Sequence, residues 1–254
     1  RPNANVLLAE VLSGPIPFRI LSFTGGTAAN AITQTAEIQL AVSPDQIEAL
    51  KARRVAFEQE SRNRYPDEKN LSITLTALAS PPDQAASETD SARVVNMILA
   101  IPSGVYGWSK EFAGLPETSN NIGIIKTEQN TLLVTSYPRS SKPEKLEEIT
   151  RRIEAAAATA GATRRGLFPA WPPNPDADLY KKSLAVYEKR FNTPLKTEVV
   201  HAGLECGYIA EKYPGMEIVS IGPTLENVHT PRERLYVPSL EKVAQFMQAL
   251  LPNL

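Results

Sequence analysis

The chain has 254 residues, with 27 basic and 28 acidic side chains for a formal net charge of -1, two His and one Cys. That balance excludes a broadly basic nucleic-acid-binding surface, and one Cys excludes a disulfide framework or a thiolate-rich zinc site. No apolar run approaches the roughly 18 residues of a membrane span, and at about 150 residues per domain the length suggests one or two domains.

The first residues, Arg1 to Asn5, carry neither an initiator Met, a signal core nor an Arg-rich leader, and are expected to be the interior of a longer chain. Asn3 to Leu12 places Val6, Leu7, Leu8, Val11 and Leu12 mostly on one helical face, and Ser13-Gly14-Pro15 stops it. Phe18 to Phe23 and Ala31 to Val42 read as strands separated by Gly25-Gly26, the second with Ile32, Ala36, Ile38 and Leu40 on one parity. Ser43-Pro44-Asp45 starts a helix that runs to about Tyr65. Leu71, Ile73, Leu75 and Leu78 suggest a further strand, and residues 81–88 a polar loop. A helix follows over Ser91 to Ile101, then paired strands over Thr118 to Lys126 and Thr131 to Tyr137 with Glu128-Gln129-Asn130 as the turn. From Lys142 a long helix has Leu146, Ile149, Ile153 and Ala157 as its inner stripe.

The Pro- and aromatic-rich run GLFPAWPPNPD, from Gly166 to Asp176, is the best boundary. Beyond it the pattern predicts a helix (Leu179 to Phe191), a short strand (Glu198 to Val200), a helix after Gly203, a buried strand (Met216 to Ile221) and a terminal helix (Ser239 to Leu251). The expected fold is therefore α+β for the first part, with an antiparallel sheet and helices, followed by part of an α/β domain.

The chain contains no dinucleotide-binding glycine fingerprint, Walker loop, nucleophile elbow or H-E-x-x-H helix. Four segments are left that could carry chemistry. His229 follows the expected strand and the Ile221-Gly222-Pro223 turn; it reads either as a metal ligand or as a His bonded to loop backbone. With two His and one Cys the chain is not expected to assemble a His-rich zinc site alone, so most metal partners of His229 would be carboxylates or lie on missing sequence. His201-Ala202-Gly203-Leu204-Glu205-Cys206-Gly207 reads either as a carboxylate-binding turn or as a tight connection with Glu205 near a helix start. Arg139, closing a strand in Tyr137-Pro138-Arg139, can grip a carboxylate through two parallel bonds or form a surface ion pair. Asn30, after Gly25-Gly26, can reach a ligand or simply serve a hairpin.

Taken together, the segments NANVLLAEVL, GGTAANAI, ETSNNIG, PRSS, HAGLECGYIAEKYPGMEIVSIGPT and VHTP resemble the C-terminal half of a dizinc dipeptidase, in the aminoacyl-histidine dipeptidase group of the aminoacylase/carboxypeptidase family. The resemblance runs from Asn3 to the terminal helix. It implies a lid and dimerisation domain over residues 1–170 and the last segment of a zinc-peptidase catalytic domain over 171–254. It implies a dipeptide substrate, two zinc ions in the intact enzyme, a homodimer formed through the lid and a cytoplasmic location.

By that resemblance His229 is the C-terminal zinc-ligand His, and Arg139 holds the substrate carboxylate. Asn30 lies near the substrate, and Gly203 and Glu205 belong to the turn that faces it. The remaining zinc ligands and the general base are expected upstream of Arg1, so no catalytic residue is expected in this chain. The alternative is a lid, dimerisation or ligand-binding module without catalysis of its own. The group usually has Asn-Ala-Ile-Pro where this chain has Asn30-Ala31-Ile32-Thr33, so the surroundings of Asn30 are expected to differ.

Overall fold

The computed structural model describes residues 1–80, 84–110, 113–161, 163–164, 166, 169–199, 204–228 and 232–254. The chain divides into two compact units. The first comprises Arg1–Trp108, Pro116–Ser140 and Glu144–Arg165, and the second Ser109–Leu115, Ser141–Pro143 and Gly166–Leu254.

In the first unit α1 (Ala4–Leu12) begins at Asn3, whose side chain accepts from the Asn5 and Val6 amides. β1 (Arg19–Gly25) pairs antiparallel with β2 (Ala36–Ala41). Alternation placed the start of β2 too early. Residues 31–35 form no strand, because Thr33 gives its hydroxyl and carbonyl to other elements instead of to the β1 ladder. A short 3-10 turn, Pro44–Gln46, leads into α2 (Ile47–Arg64), with the Gln46 amide donating to the Ser43 carbonyl.

The strand expected through Leu71 and Leu78 is absent. Leu71 and Ile73 still pack on the core, but the Ile73 amide donates to the Glu58 carboxylate on α2 (2.9 Å) in place of a strand neighbour. Helix α3 (Glu88–Ala100) is capped by Ser87, whose hydroxyl accepts from the Asp90 amide. On its inner face, Ser91 accepts from the Ile20 amide (2.8 Å) beside the bulge in β1.

The predicted strand over Thr118 to Lys126 is two strands in two sheets. β3 (Gly104–Trp108), which the sequence did not reveal, pairs with β4 (Pro116–Asn120). β5 (Ile122–Glu128) instead pairs with β1 and with β6 (Thr131–Ser136). The turn between β5 and β6 places Gln129 at a φ of 50°. β7 (Arg139–Ser140) joins β4. The result is a four-stranded sheet, β2-β1-β5-β6, and a three-stranded sheet, β3-β4-β7.

α1 and α3 cover the first sheet, with Leu7, Val11, Phe23, Val95, Ile98, Ile122 and Ile125 buried between them. Each such side chain contributes about 1.5–3 kcal/mol on leaving water. α4 (Pro143–Ala156) buries Leu146 and Ile149. The Tyr106 hydroxyl of β3 donates to Glu148 of α4 (3.0 Å), and Arg152 sits over the Tyr106 ring. Lys145 first, and then the Tyr106 hydroxyl, hold the Glu148 carboxyl down at about 2.

The second unit is mostly helical among its described residues: α5 (Asp178–Phe191), α6 (Cys206–Lys212) and α7 (Val237–Leu250). α5 packs on α7 through Tyr187 and Phe246, edge to face at 5.4 Å, and Asn192 closes α5 in the left-handed region. The Glu217 carboxylate accepts from the Leu179 and Asp178 amides, which satisfies the first turn of α5 and holds that carboxyl below its ordinary range.

The α/β character expected here is not seen among the described residues. Residues 198–199 and 216–221 form no strand, and Val200 lies outside the described residues. Met216 and Ile221 are 52% and 38% exposed; a buried strand needs neighbours on both edges, and no strand among the described residues pairs with this segment. The described strands of this unit are the short pair β8 (Leu225–Glu226) and β9 (Arg234–Leu235). Among the described residues no helix is long and apolar enough to cross a membrane.

Glu58 makes the fold acid-sensitive at one identifiable point. The Ile73 amide, followed by Arg62 and Arg54, holds its carboxyl below the ordinary value of 4.5. A carboxyl lowered on folding stabilises fully above its unfolded value and loses that contribution as pH falls through the folded one. Glu58→Gln is therefore expected to flatten the decline of the urea midpoint below about pH 4.5. An identical decline in both proteins would contradict this.

Candidate functional site

Three of the segments singled out in the sequence meet in the first unit. At the start of α1, Asn3 uses both ends of its amide. Its Oδ1 caps the helix, while its Nδ2 donates to Asn121 Oδ1 and to the Ile122 carbonyl, both at 2.9 Å. Asn5, fully buried, donates to the same Ile122 carbonyl (3.1 Å) and to Thr33 Oγ1 (3.2 Å). The Thr33 hydroxyl donates to the Gly123 carbonyl (2.9 Å), and its own carbonyl accepts from the Ala4 amide (2.9 Å). Helix α1, the 26–35 loop and the start of β5 are thereby tied at one buried point.

Glycines allow this closeness. A Cβ on Gly123 would fall 2.3 Å from the Ala29 carbonyl oxygen, and one on Gly26, at a φ of 77°, only 1.9 Å from the Gly123 oxygen. Asn30 sits in the turn Ala28–Ala31, closed by the Ala31 amide donating to the Ala28 carbonyl (3.3 Å), and is exposed. Asn121 grips that turn on both sides of Asn30, its Nδ2 donating to the Ala29 (3.0 Å) and Ala31 (2.7 Å) carbonyls. Thr33, where the resembled group usually has Pro, is the hydroxyl of this network.

Arg139 stands at the second crossing between the two sheets. Its register partner is Ser119 on β4, and the adjacent Ser140 shares a hydrogen bond with Thr118 (2.9 Å). The guanidinium is half-buried over the Tyr137 ring, 4.9 Å from the centroid. The Tyr137 amide donates to the Asn121 carbonyl (2.8 Å). Asn120 adds two bonds, donating to the Pro102 carbonyl and accepting from the Ser136 hydroxyl. Asn30 and Arg139 are thus both anchored to the Asn120-Asn121 step, where β4 leaves one sheet and β5 enters the other. The ring backing orients the planar guanidinium, a group whose fork geometry matches a carboxylate.

Of the remaining predicted residues, Glu205 lies in the second unit at the entry to α6. It is exposed, and its carbonyl accepts from the Tyr208 and Ile209 amides. Cys206 is a free, half-buried thiol. Gly203, His201 and His229 lie outside the described residues, as do residues 230 and 231; β8 and β9 pair on either side of that stretch in the chain. Among the described residues no three His, Cys, Asp or Glu side chains are grouped as a metal centre requires.

Sequence reasoning missed the roles of Asn3, Asn5, Thr33 and Asn121. Their only sequence signal was polar residues at element boundaries, Asn-Ala-Asn and Ser-Asn-Asn, inside otherwise apolar segments.

No family model matches the chain. The chain is 30% identical to the cytosol non-specific dipeptidase of Escherichia coli (strain K12) over 259 aligned residues, covering 99% of this chain and 53% of that protein. Its fold superposes on the crystal structure of aminoacylhistidine dipeptidase from Vibrio alginolyticus with a TM-score of 0.84 and 29% identity, covering 100% of this chain and 53% of that one. The chain therefore spans about half the length of the dipeptidases it matches. The resemblance read from the motifs is to this same group, and it holds along the whole chain.

The approach of Gly123 to the Asn30 turn has a measurable consequence. Gly123→Ala must push the Ala29 backbone away, and is expected to cost about 1–3 kcal/mol in urea unfolding, the usual penalty of overpacking. An unchanged midpoint would contradict the close approach.

Proposed function

We propose that this chain is the C-terminal half of a metal-dependent dipeptidase, acting in the cytoplasm. Residues 1–170 would be its lid and dimerisation domain and residues 171–254 the last segment of its catalytic domain. The observation that carries this reading is the end-to-end match to about half of two dipeptidases.

On this reading Arg139 holds the free carboxylate of a dipeptide, of Xaa-His type or broader, through two charge-assisted bonds. Asn30 contacts the substrate from its turn, while Gly203 and Glu205 face it from the HAGLECG turn. A carboxylate clamp at fixed distance from the scissile bond explains a preference for dipeptides, since a longer chain carries its carboxylate beyond reach. Closure of the lid would exclude water from the bound substrate.

His229 is proposed as one zinc ligand. The described residues of this chain do not themselves fit a metal centre. The other ligands and the general base would come from polypeptide outside this chain. Exposed apolar side chains in the second unit support a further covering segment: Tyr236 and Val237 are 60% and 67% exposed, with Tyr208, Met216 and Leu240 also exposed. The lid would pair with a second copy. Edge strand β3 supports this, with Trp108 60% exposed and Val105 and Tyr106 beside it.

The second reading, for the chain by itself, is a lid, dimerisation or ligand-binding module without catalysis of its own, since one zinc-ligand His does not hold a two-metal centre. The purified 254-residue chain supplied with zinc is accordingly expected not to hydrolyse a Xaa-His dipeptide, and robust turnover would refute this. In the full-length polypeptide His229→Ala is expected to lower bound zinc, read by elemental analysis; unchanged stoichiometry would remove it from the ligand set. Arg139→Ala, also in the full-length polypeptide, is expected to weaken free-acid dipeptides by about 30-fold or more, the loss of a charged hydrogen-bonded pair of ~2 kcal/mol, and carboxyl-amidated dipeptides far less. Equal losses for both substrates would take Arg139 out of the carboxylate role.

A further inference from the structure

We propose that Asn121 is a positioning residue for substrate: its side chain fixes the turn that presents Asn30, and its backbone fixes the strand end that presents Arg139. The proposal rests on the reading of Asn30 and Arg139 as substrate-binding groups, and it adds a residue that neither the motif resemblance nor the four candidate segments assigned.

Both polar atoms of the Asn121 side chain, and its main-chain carbonyl, have partners. Both Nδ2 hydrogens go to the carbonyls on either side of Asn30, those of Ala29 and Ala31. Its Oδ1 accepts from Asn3 Nδ2, and Asn3 is in turn fixed as the cap of α1. Its main-chain carbonyl accepts from the Tyr137 amide, two residues before Arg139 and under its guanidinium. An Asn amide supplies two donors and one acceptor face in a single plane, which matches two carbonyls and one donor. No other side chain of its length satisfies all three partners. Asp would set a carboxylate against two carbonyls, and Leu would take the donor from both carbonyls and leave the Asn3 amide only its bond to the Ile122 carbonyl.

The two limbs are chemically separable. A side-chain substitution releases the Asn30 turn and keeps the Tyr137 bond, because that bond is made by backbone. A merely structural Asn would instead weaken the whole unit evenly.

The test uses the full-length polypeptide and the variants Asn121→Asp, Asn30→Ala and the double. In Asn121→Asp, hydrogen exchange at the Ala31 amide is expected to rise at least about tenfold, with the Tyr137 amide unchanged. Each single variant is expected to raise KM for a dipeptide about tenfold, and the double variant about tenfold as well, because the two lose the same contact. The preference for free-acid over amidated dipeptides, set by Arg139, is expected to persist in Asn121→Asp.

Additive KM losses, about hundredfold in the double, would overturn the proposal, as would equal rises in exchange at Ala31 and Tyr137. If Asn30→Ala leaves KM unchanged, the substrate role of Asn30 falls, and the exchange pattern alone decides whether Asn121 holds the turn. Should Asn121→Asp fail to fold, Asn121→Ser, which keeps one donor and adds no charge, carries the same cycle.

Discussion

The first unit depends on one buried carbonyl and the amides gathered around it. The Ile122 carbonyl lies where β5 enters the sheet, and it accepts from Asn3 and Asn5 at the start of α1. Burying that much polar surface is tolerable only when the groups find partners, since each unpaired one costs about 1–3 kcal/mol. The geometry is therefore nearly all-or-none: helix, loop and strand must arrive together. Asn5 Oδ1 is the exception, buried without a hydrogen-bond partner against Gly25, where a Cβ would stand 1.9 Å away. Apolar packing of Phe23, Ile98 and Ile125 supplies the driving force around this point, and the amides supply its register.

On the proposed reading of Asn30 that rigidity bears on function, because the exposed Asn30 turn is built directly on it. A surface turn of small residues, Ala28 to Ala31, has little packing of its own. It gains a fixed position from Asn121, Gly123 and Thr33 beneath it. The same step in the chain serves Arg139. β4 passes to β5 at Asn121, β6 passes to β7 at Tyr137-Pro138, and the two crossings are joined by the Tyr137–Asn121 hydrogen bond. On the proposed reading of Arg139, a group placed where two sheets exchange strands is held from both sides, as pre-organised recognition of a charged substrate requires.

The second unit is built on a different principle. Its helices α5 and α7 share aromatic contacts, with Lys242 over the Tyr187 and Phe191 rings. Much of the remaining apolar surface, including Met216 and Val237, is left open. In such a segment strand propensity has no ladder to join, so Met216 to Ile221 stays outside regular structure in spite of its composition.

Local signals in the sequence determined most of the helices. The boundaries of α1, α2, α3, α5 and α7 follow from apolar periodicity and from caps or breakers within a few residues, and all of that information is local. The β5–β6 hairpin was legible for the same reason, and Arg139 and Asn30 were legible as candidates from their motifs. Tertiary structure alone decided that Thr118 to Lys126 is divided between two sheets, that Leu71 to Leu78 forms no strand and that residues 31–35 leave the ladder. In each case a group distant in sequence took the bond: the Glu58 carboxylate from the Ile73 amide, the Gly123 carbonyl from the Thr33 hydroxyl, and Asn121 Oδ1 from the Asn3 side-chain amide. Such pairings span from 15 to 118 residues, and no periodicity within a strand or helix records them, because a hydrogen bond is chosen by proximity in the folded chain and not by spacing along it.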